Sequence, residues 1–112
     1  MLLPHIARER VSLHCHDTYG MAIANALTAW EGYGIEAFDS SAGGLGGCPY
    51  APGASGNVAT EDLVFALRAS GATVSVDEAK IRAACRRISG ALGRPFASRL
   101  SQMENSPSPS QV

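Results

Sequence analysis

His14 and His16 stand two apart in Val11-Ser12-Leu13-His14-Cys15-His16-Asp17. On a strand, residues two apart share a face, so both imidazoles could turn toward one divalent ion. The competing reading is a pair of buried polar side chains. Further on, Gly43-Gly44-Leu45-Gly46-Gly47-Cys48-Pro49-Tyr50 runs into Ala51-Pro52-Gly53-Ala54-Ser55-Gly56-Asn57. So many glycines and prolines fit neither a helix nor a strand, and the segment reads as a shaped loop carrying one thiol, Cys48. A strand-borne histidine pair followed by a thiol loop has the makings of an enzyme active site.

The flanking sequence must position these groups. Residues 1–8 read as the end of a helix and Val11 to Cys15 as a strand. Thr18 to Trp30 reads as a helix with Met21, Ala24, Leu27 and Ala29 to Trp30 on or near its apolar stripe. Gly32 and Gly34 end it. Ile35 to Ser40 reads as a second strand, followed by the glycine loop through about Val58. Thr60 to Ala69 reads as a helix with Leu63, Val64, Ala66 and Leu67 inward. Glu61 and Asp62 occupy its first turn, where the helix dipole favours acids. Gly71 stops it, and Val74 to Val76 is a short extended piece. Ser75-Val76-Asp77-Glu78 has the form of a capping box for a helix from Asp77 to Leu92. Ile81, Ala84, Cys85, Ile88 and Leu92 form its expected apolar face, and Gly93-Arg94-Pro95 ends it. Strands alternating with helices imply an α/β chain with parallel β/α units. Two strands cannot make a buried parallel sheet alone, so the pattern fits part of a larger sheet or barrel.

Composition narrows the field. The chain has 112 residues, a formal net charge of −1 and 17% charged residues, which argues against nucleic-acid and membrane-surface partners. No apolar run reaches the roughly 18 residues of a spanning helix, and the start lacks the pattern of a secretory signal. Three cysteines without framework spacing fit free thiols in a reducing compartment, so a cytoplasmic location is expected. Cys15 and Cys85 read as packing residues. Residues 101–112, with Ser106-Pro107-Ser108-Pro109-Ser110, read as a disordered tail beyond a domain at 1–100.

His14-Cys15-His16-Asp17-Thr18-Tyr19-Gly20, Phe38-Asp39-Ser40-Ser41, Gly44-Leu45-Gly46-Gly47-Cys48-Pro49-Tyr50-Ala51 and Gly53-Ala54-Ser55-Gly56-Asn57-Val58-Ala59-Thr60-Glu61-Asp62 resemble the 3-hydroxy-3-methylglutaryl-CoA lyases. These are metal-dependent lyases of the aldolase-type TIM barrels. The His-x-His-Asp element is shared with related aldolases and acyl-condensing synthases, whereas the glycine–cysteine loop is specific to the lyases. The resemblance implies a (β/α)8 barrel of about 250 residues, of which this chain would supply only the C-terminal β/α units. It implies His14, His16 and Asn57 as ligands of Mg²⁺ or Mn²⁺, Cys48 as the catalytic thiol and an acyl-CoA as substrate. Asp17 would orient a histidine or act as a base, and Glu61 would be a helix-start or supporting carboxylate. Arg94 would be what remains of a coenzyme A contact.

The family's first-strand Arg-Asp pair and an early-strand glutamate have no counterpart in the sequence. The chain is therefore expected to be a fragment, inactive alone, whose partner is a missing N-terminal half or another copy of itself. The alternatives are a non-catalytic remnant and a related metal-dependent aldolase or synthase.

Overall fold

The structure is a computed structural model that describes residues 4–46, 56–93, 96 and 98–104. Its centre is a pair of short parallel strands, β1 (Ser12–His14) and β2 (Ala37–Asp39), in register Ser12↔Ala37, Leu13↔Phe38 and His14↔Asp39. Leu13 and Phe38 are half-buried, while Ser12, His14, Ala37 and Asp39 are exposed. Alternation puts Cys15 on the Leu13 side and His16 on the His14 side. A parallel pair needs a crossover, supplied here by helix α1 (Ala22–Tyr33).

The expected helix from Thr18 starts four residues late. Asp17 Oδ1 accepts from the Ala22 amide at 3.1 Å and Asp17 O from Gly20 N at 3.0 Å, so the intervening residues form a turn. At the other end Gly34 takes the left-handed conformation (φ 70°) and closes the helix, as its sequence position implied. The inward stripe also differs from expectation. Ala22 and Ala26 are buried with Val58, Leu63 and Leu67, and Ile23, Leu27 and Trp30 pack beside them. Met21 is 54% exposed, and Ala24 is exposed too. Two alanines one turn apart let the next helix come close, so the small residues face inward while methionine stays out.

That helix, α2 (Thr60–Ala69), buries Leu63, Val64 and Leu67 at helical spacing. It packs against α1, α3 (Glu78–Leu92) and α4 (Arg99–Glu104), and so forms the hub of the described fold. Arg68 ties its end to the following segment. Nη2 donates to Val74 O at 2.6 Å and also to Val76 O, while Nη1 pairs with Glu78 at 3.0 Å. The extended piece at 74–76 is therefore held by a guanidinium and not by a sheet partner.

Asp77, not Ser75, caps α3, accepting from Lys80 N at 3.2 Å. Of the expected apolar face, Cys85 is buried and Ile81 and Ile88 are half-buried; Ala84 is exposed and Leu92 is 51% exposed. Two further expectations shift. The chain enters β1 through a 3-10 turn at Arg8–Arg10. Helix α4 runs through Glu104, inside the range 101–112 read as a tail; residues 105–112 lie outside the described residues. Asp62 holds α4 in place by accepting from Arg99 N (2.8 Å) and Leu100 N (3.0 Å). An open cleft of about 590 Å³ lies beside β2, walled by Trp30, Phe38, Leu63, Leu67 and Val74.

Candidate active site

His14 and His16 emerge together from the end of β1, their ring centroids 5.3 Å apart and their planes tilted by 52°. Both are exposed, so the reading of them as buried polar residues does not hold. Asp39 stands opposite His14 in the strand register, its Oδ2 3.6 Å from Nδ1. That is too long for a hydrogen bond but close enough to bias which nitrogen faces away.

The chain beyond β1 pairs a second time. Asp17 N donates to Gly56 O at 2.8 Å and Val58 N to Cys15 O at 3.2 Å, which sets Asn57 opposite His16 in an antiparallel bridge. Asn57 Nδ2 donates to Leu45 O at 2.9 Å. Its Oδ1 is buried and has no hydrogen-bond partner among the described residues. A buried, unmatched carbonyl oxygen costs about 1–3 kcal/mol. Two neighbouring imidazoles and an unmatched amide oxygen on the residue opposite His16 are the donor types that suit a divalent cation taking mixed nitrogen and oxygen ligands. Among the described residues no three His, Cys, Asp or Glu side chains gather into a metal site.

The glycine segment leaves β2 through left-handed residues, Gly43 at φ 65° and Gly44 at φ 73°, followed by Gly46 at φ 103°. Its root is fixed to the segment before α2. Ser41 N donates to Val58 O (3.0 Å), Thr60 N to Ser41 O (2.9 Å) and Asn57 N to Gly46 O (3.3 Å). A side chain would crowd this root: a Cβ on Gly46 would lie 2.5 Å from Asn57 Nδ2. Cys48, two residues beyond Gly46 in sequence, and Arg94 lie outside the described residues.

The supporting residues have defined places. Asp17 caps α1 through the bond to Ala22 and faces a cleft of about 340 Å³ that it shares with Asn57, Asp62, Ser98 and Arg99. Glu61 stands in the first turn of α2, as its position implied, and is only 3% exposed. Cys15 sits on the inner face as expected, and burial pushes its thiol above the ordinary range. Cys85 does more than pack: its Sγ lies 3.4 Å from Glu61 Oε2 and donates to it.

Asp39, Asp62 and Phe96 carry contacts that sequence reasoning missed. Asp39 was visible only as part of a motif, and its proximity to His14 depends on strand register. The reach of Asp62 to residues 99 and 100 depends on how α3 brings the chain back.

The chain is similar to known proteins over most of its length. The HMGL-like family matches residues 2–88. A Bacillus subtilis hydroxymethylglutaryl-CoA lyase is 48% identical over 98 residues, which are 88% of this chain and 32% of that protein. The human mitochondrial hydroxymethylglutaryl-CoA lyase is 50% identical over 101 residues, 90% of this chain and 31% of its own. The crystal structure of the Bacillus subtilis HMG-CoA lyase superposes with a TM-score of 0.88 at 47% identity, covering 94% of this chain and 35% of that one. An HMG-CoA lyase from Acinetobacter baumannii, solved in complex with coenzyme A and 3-methylmalate, superposes with a TM-score of 0.80 at 40% identity, covering 90% and 33%. The chain thus spans about a third of the length of the relatives it matches. The expected fold class stands: these are C-terminal β/α units of a TIM barrel, incomplete in this chain.

Proposed function

Because the chain belongs to the HMGL-like family, we propose that it supplies the metal- and thiol-bearing portion of a lyase that cleaves 3-hydroxy-3-methylglutaryl-CoA to acetyl-CoA and acetoacetate. The carrying observation is Asn57. Its Nδ2 is committed to Leu45 O while its buried Oδ1 is unmatched beside His16. An amide oriented in this way can offer its oxygen to a cation without losing its grip on the loop.

In this reading His14, His16 and Asn57 hold Mg²⁺ or Mn²⁺, and Asp39 steadies the His14 ring. Bound there, the ion would supply Lewis-acid polarisation of the substrate's hydroxyl and carboxylate oxygens. The tertiary hydroxyl gives up its proton to a base. The carbon–carbon bond then breaks, acetoacetate leaves, and the electron pair stays on acetyl-CoA as its enolate. Cys48 donates its proton to the enolate carbon, and the proton held by the base returns to the thiolate through solvent. Asp17 acts indirectly, by fixing the turn between His16 and α1. Arg94 is assigned a contact with the coenzyme A moiety, on the resemblance alone. The 112 residues alone hold no first-strand arginine and aspartate, so turnover is assigned to an assembled barrel.

The test is complementation. The chain is co-expressed with the N-terminal two thirds of a matching lyase, and acetoacetate release is measured with Mn²⁺. Activity should appear, and Cys48→Ser should lower kcat by about 100-fold or more, because a hydroxyl is a far weaker acid than a thiol. An unaltered rate in Cys48→Ser would remove the thiol from the mechanism. Turnover by the unaided chain would overturn the division of labour.

A further inference from the structure

Glu61 is a charged-type side chain placed where the fold did not require one. The first turn of α2 offers solvent-facing positions, yet Glu61 is 3% exposed. Burying a carboxyl group costs several kcal/mol unless hydrogen bonds replace its water. Among the described residues, two donors converge on one of its oxygens. Gly43 N donates to Oε2 at 3.1 Å and Cys85 Sγ donates to the same atom from 3.4 Å. They come from separate parts of the chain, the loop root and α3. Phe96 closes the arrangement from the far side: a Cβ on Gly43 would lie 2.1 Å from its ring. Gly43 is thus gripped between a carboxylate and an aromatic face, in a left-handed conformation that glycine adopts without strain.

This grip sits at the point where the chain leaves β2 for the thiol loop. Asn57 holds the other end of the described root, at Leu45 and Gly46. A glycine-rich segment has many backbone paths of similar energy. Two fixed points three residues apart remove most of them.

We infer that Glu61 is the positioning residue of the loop root that precedes the thiol segment: its buried carboxyl group fixes the Gly43 amide from inside the fold, at the point where the chain leaves β2. The inference rests on the lyase reading for the role of Cys48, but the grip itself can be measured without metal or turnover.

The experiment compares backbone amide exchange by NMR in the full 112-residue chain with that in Glu61→Leu and Glu61→Gln. Leucine fills the space without an acceptor, and glutamine keeps an acceptor oxygen. In Glu61→Leu the Gly43 amide should exchange at least tenfold faster, and the Asn57 side-chain amide should loosen with it. The Asn25 and Gly34 amides of the α1 region should change less than twofold. Glu61→Gln should restore Gly43 to within threefold. In the complemented lyase Glu61→Leu should lower kcat with little change in KM, and Glu61→Gln should recover it. Uniform acceleration of all amides would make Glu61 a global stabiliser and overturn the inference. So would a Gly43 amide unprotected in the parent chain, or no rescue by glutamine. If Gly43 and the glutamine rescue behave as expected but Cys48→Ser turns over normally, the grip stands and the lyase reading of Cys48 falls.

Discussion

Gly43→Ala tests the packing of the loop root most directly. The added Cβ would sit 2.1, 2.4 and 2.6 Å from three ring atoms of Phe96, where carbon atoms prefer about 3.5–4.0 Å. The ring must retreat by more than an ångström, and it has little room, because Phe96 is 6% exposed. Overpacking of this kind costs about 1–3 kcal/mol. The backbone adds its own cost: at φ 65° an L-residue is disfavoured by about 1–2 kcal/mol. Gly43→Ala should therefore destabilise by about 2–5 kcal/mol. Phe96→Ala alone should cost about 3–5 kcal/mol, for the lost ring and the cavity it leaves. In the double variant the clash disappears, and the backbone cost of alanine simply adds to the cost of the lost ring. The coupling energy should then be about 1–3 kcal/mol, in the direction of mutual relief. Urea unfolding followed by circular dichroism measures all four proteins, at one low protein concentration because association would shift the midpoints. Additivity within about 0.5 kcal/mol would refute the contact between the Phe96 ring and Gly43.

Three further outcomes are expected. Mn²⁺ binding by calorimetry should be lost in a His14→Ala, His16→Ala double variant, whereas Asn57→Asp, which keeps an oxygen ligand, should retain it; equal binding by parent and double variant would remove the site. Asp62→Ala should fray α4 at a cost of about 1–2 kcal/mol, as loss of a helix cap does, and the Arg99 and Leu100 amides should exchange faster while those of α1 do not. Burial holds the Cys15 thiol above its ordinary value, so the folded state favours the neutral form. Below about pH 9 the thiol is protonated in both states and the contribution is complete. As pH rises further the unfolded chain ionises first, and stability is lost through the folded pKa. The parent should lose stability faster than Cys15→Val above about pH 9, and parallel pH profiles would contradict the assignment.

How much of this was legible in the sequence depended on how local each cause was. Helix α2 was read with its correct bounds and its inward residues Leu63, Val64 and Leu67, because spacing along one helix is a local property. The end of α1 at Gly34 was legible for the same reason. The start of α1 was not, since it turns on where the Asp17 carboxylate points. The stripe of α1 is legible at Leu27 and Trp30 and fails at Met21 and Ala24, because methionine outweighs alanine on any hydrophobicity scale. The fold instead needed Ala22 and Ala26 at the closest approach of α2. At the site the same divide recurs. His14 and His16 were legible from strand alternation alone, whereas Asn57 needed the family motif, because its place beside His16 comes from a pairing across forty residues of chain. Glu61 is the sharpest case. Its sequence context is that of an ordinary first-turn acid, and only the convergence of the Gly43 amide and the Cys85 thiol on one buried oxygen distinguishes it. A carboxylate that holds a loop from beneath leaves no periodic signature, since its partners are a backbone amide and a thiol that any reading of side-chain pattern assigns elsewhere.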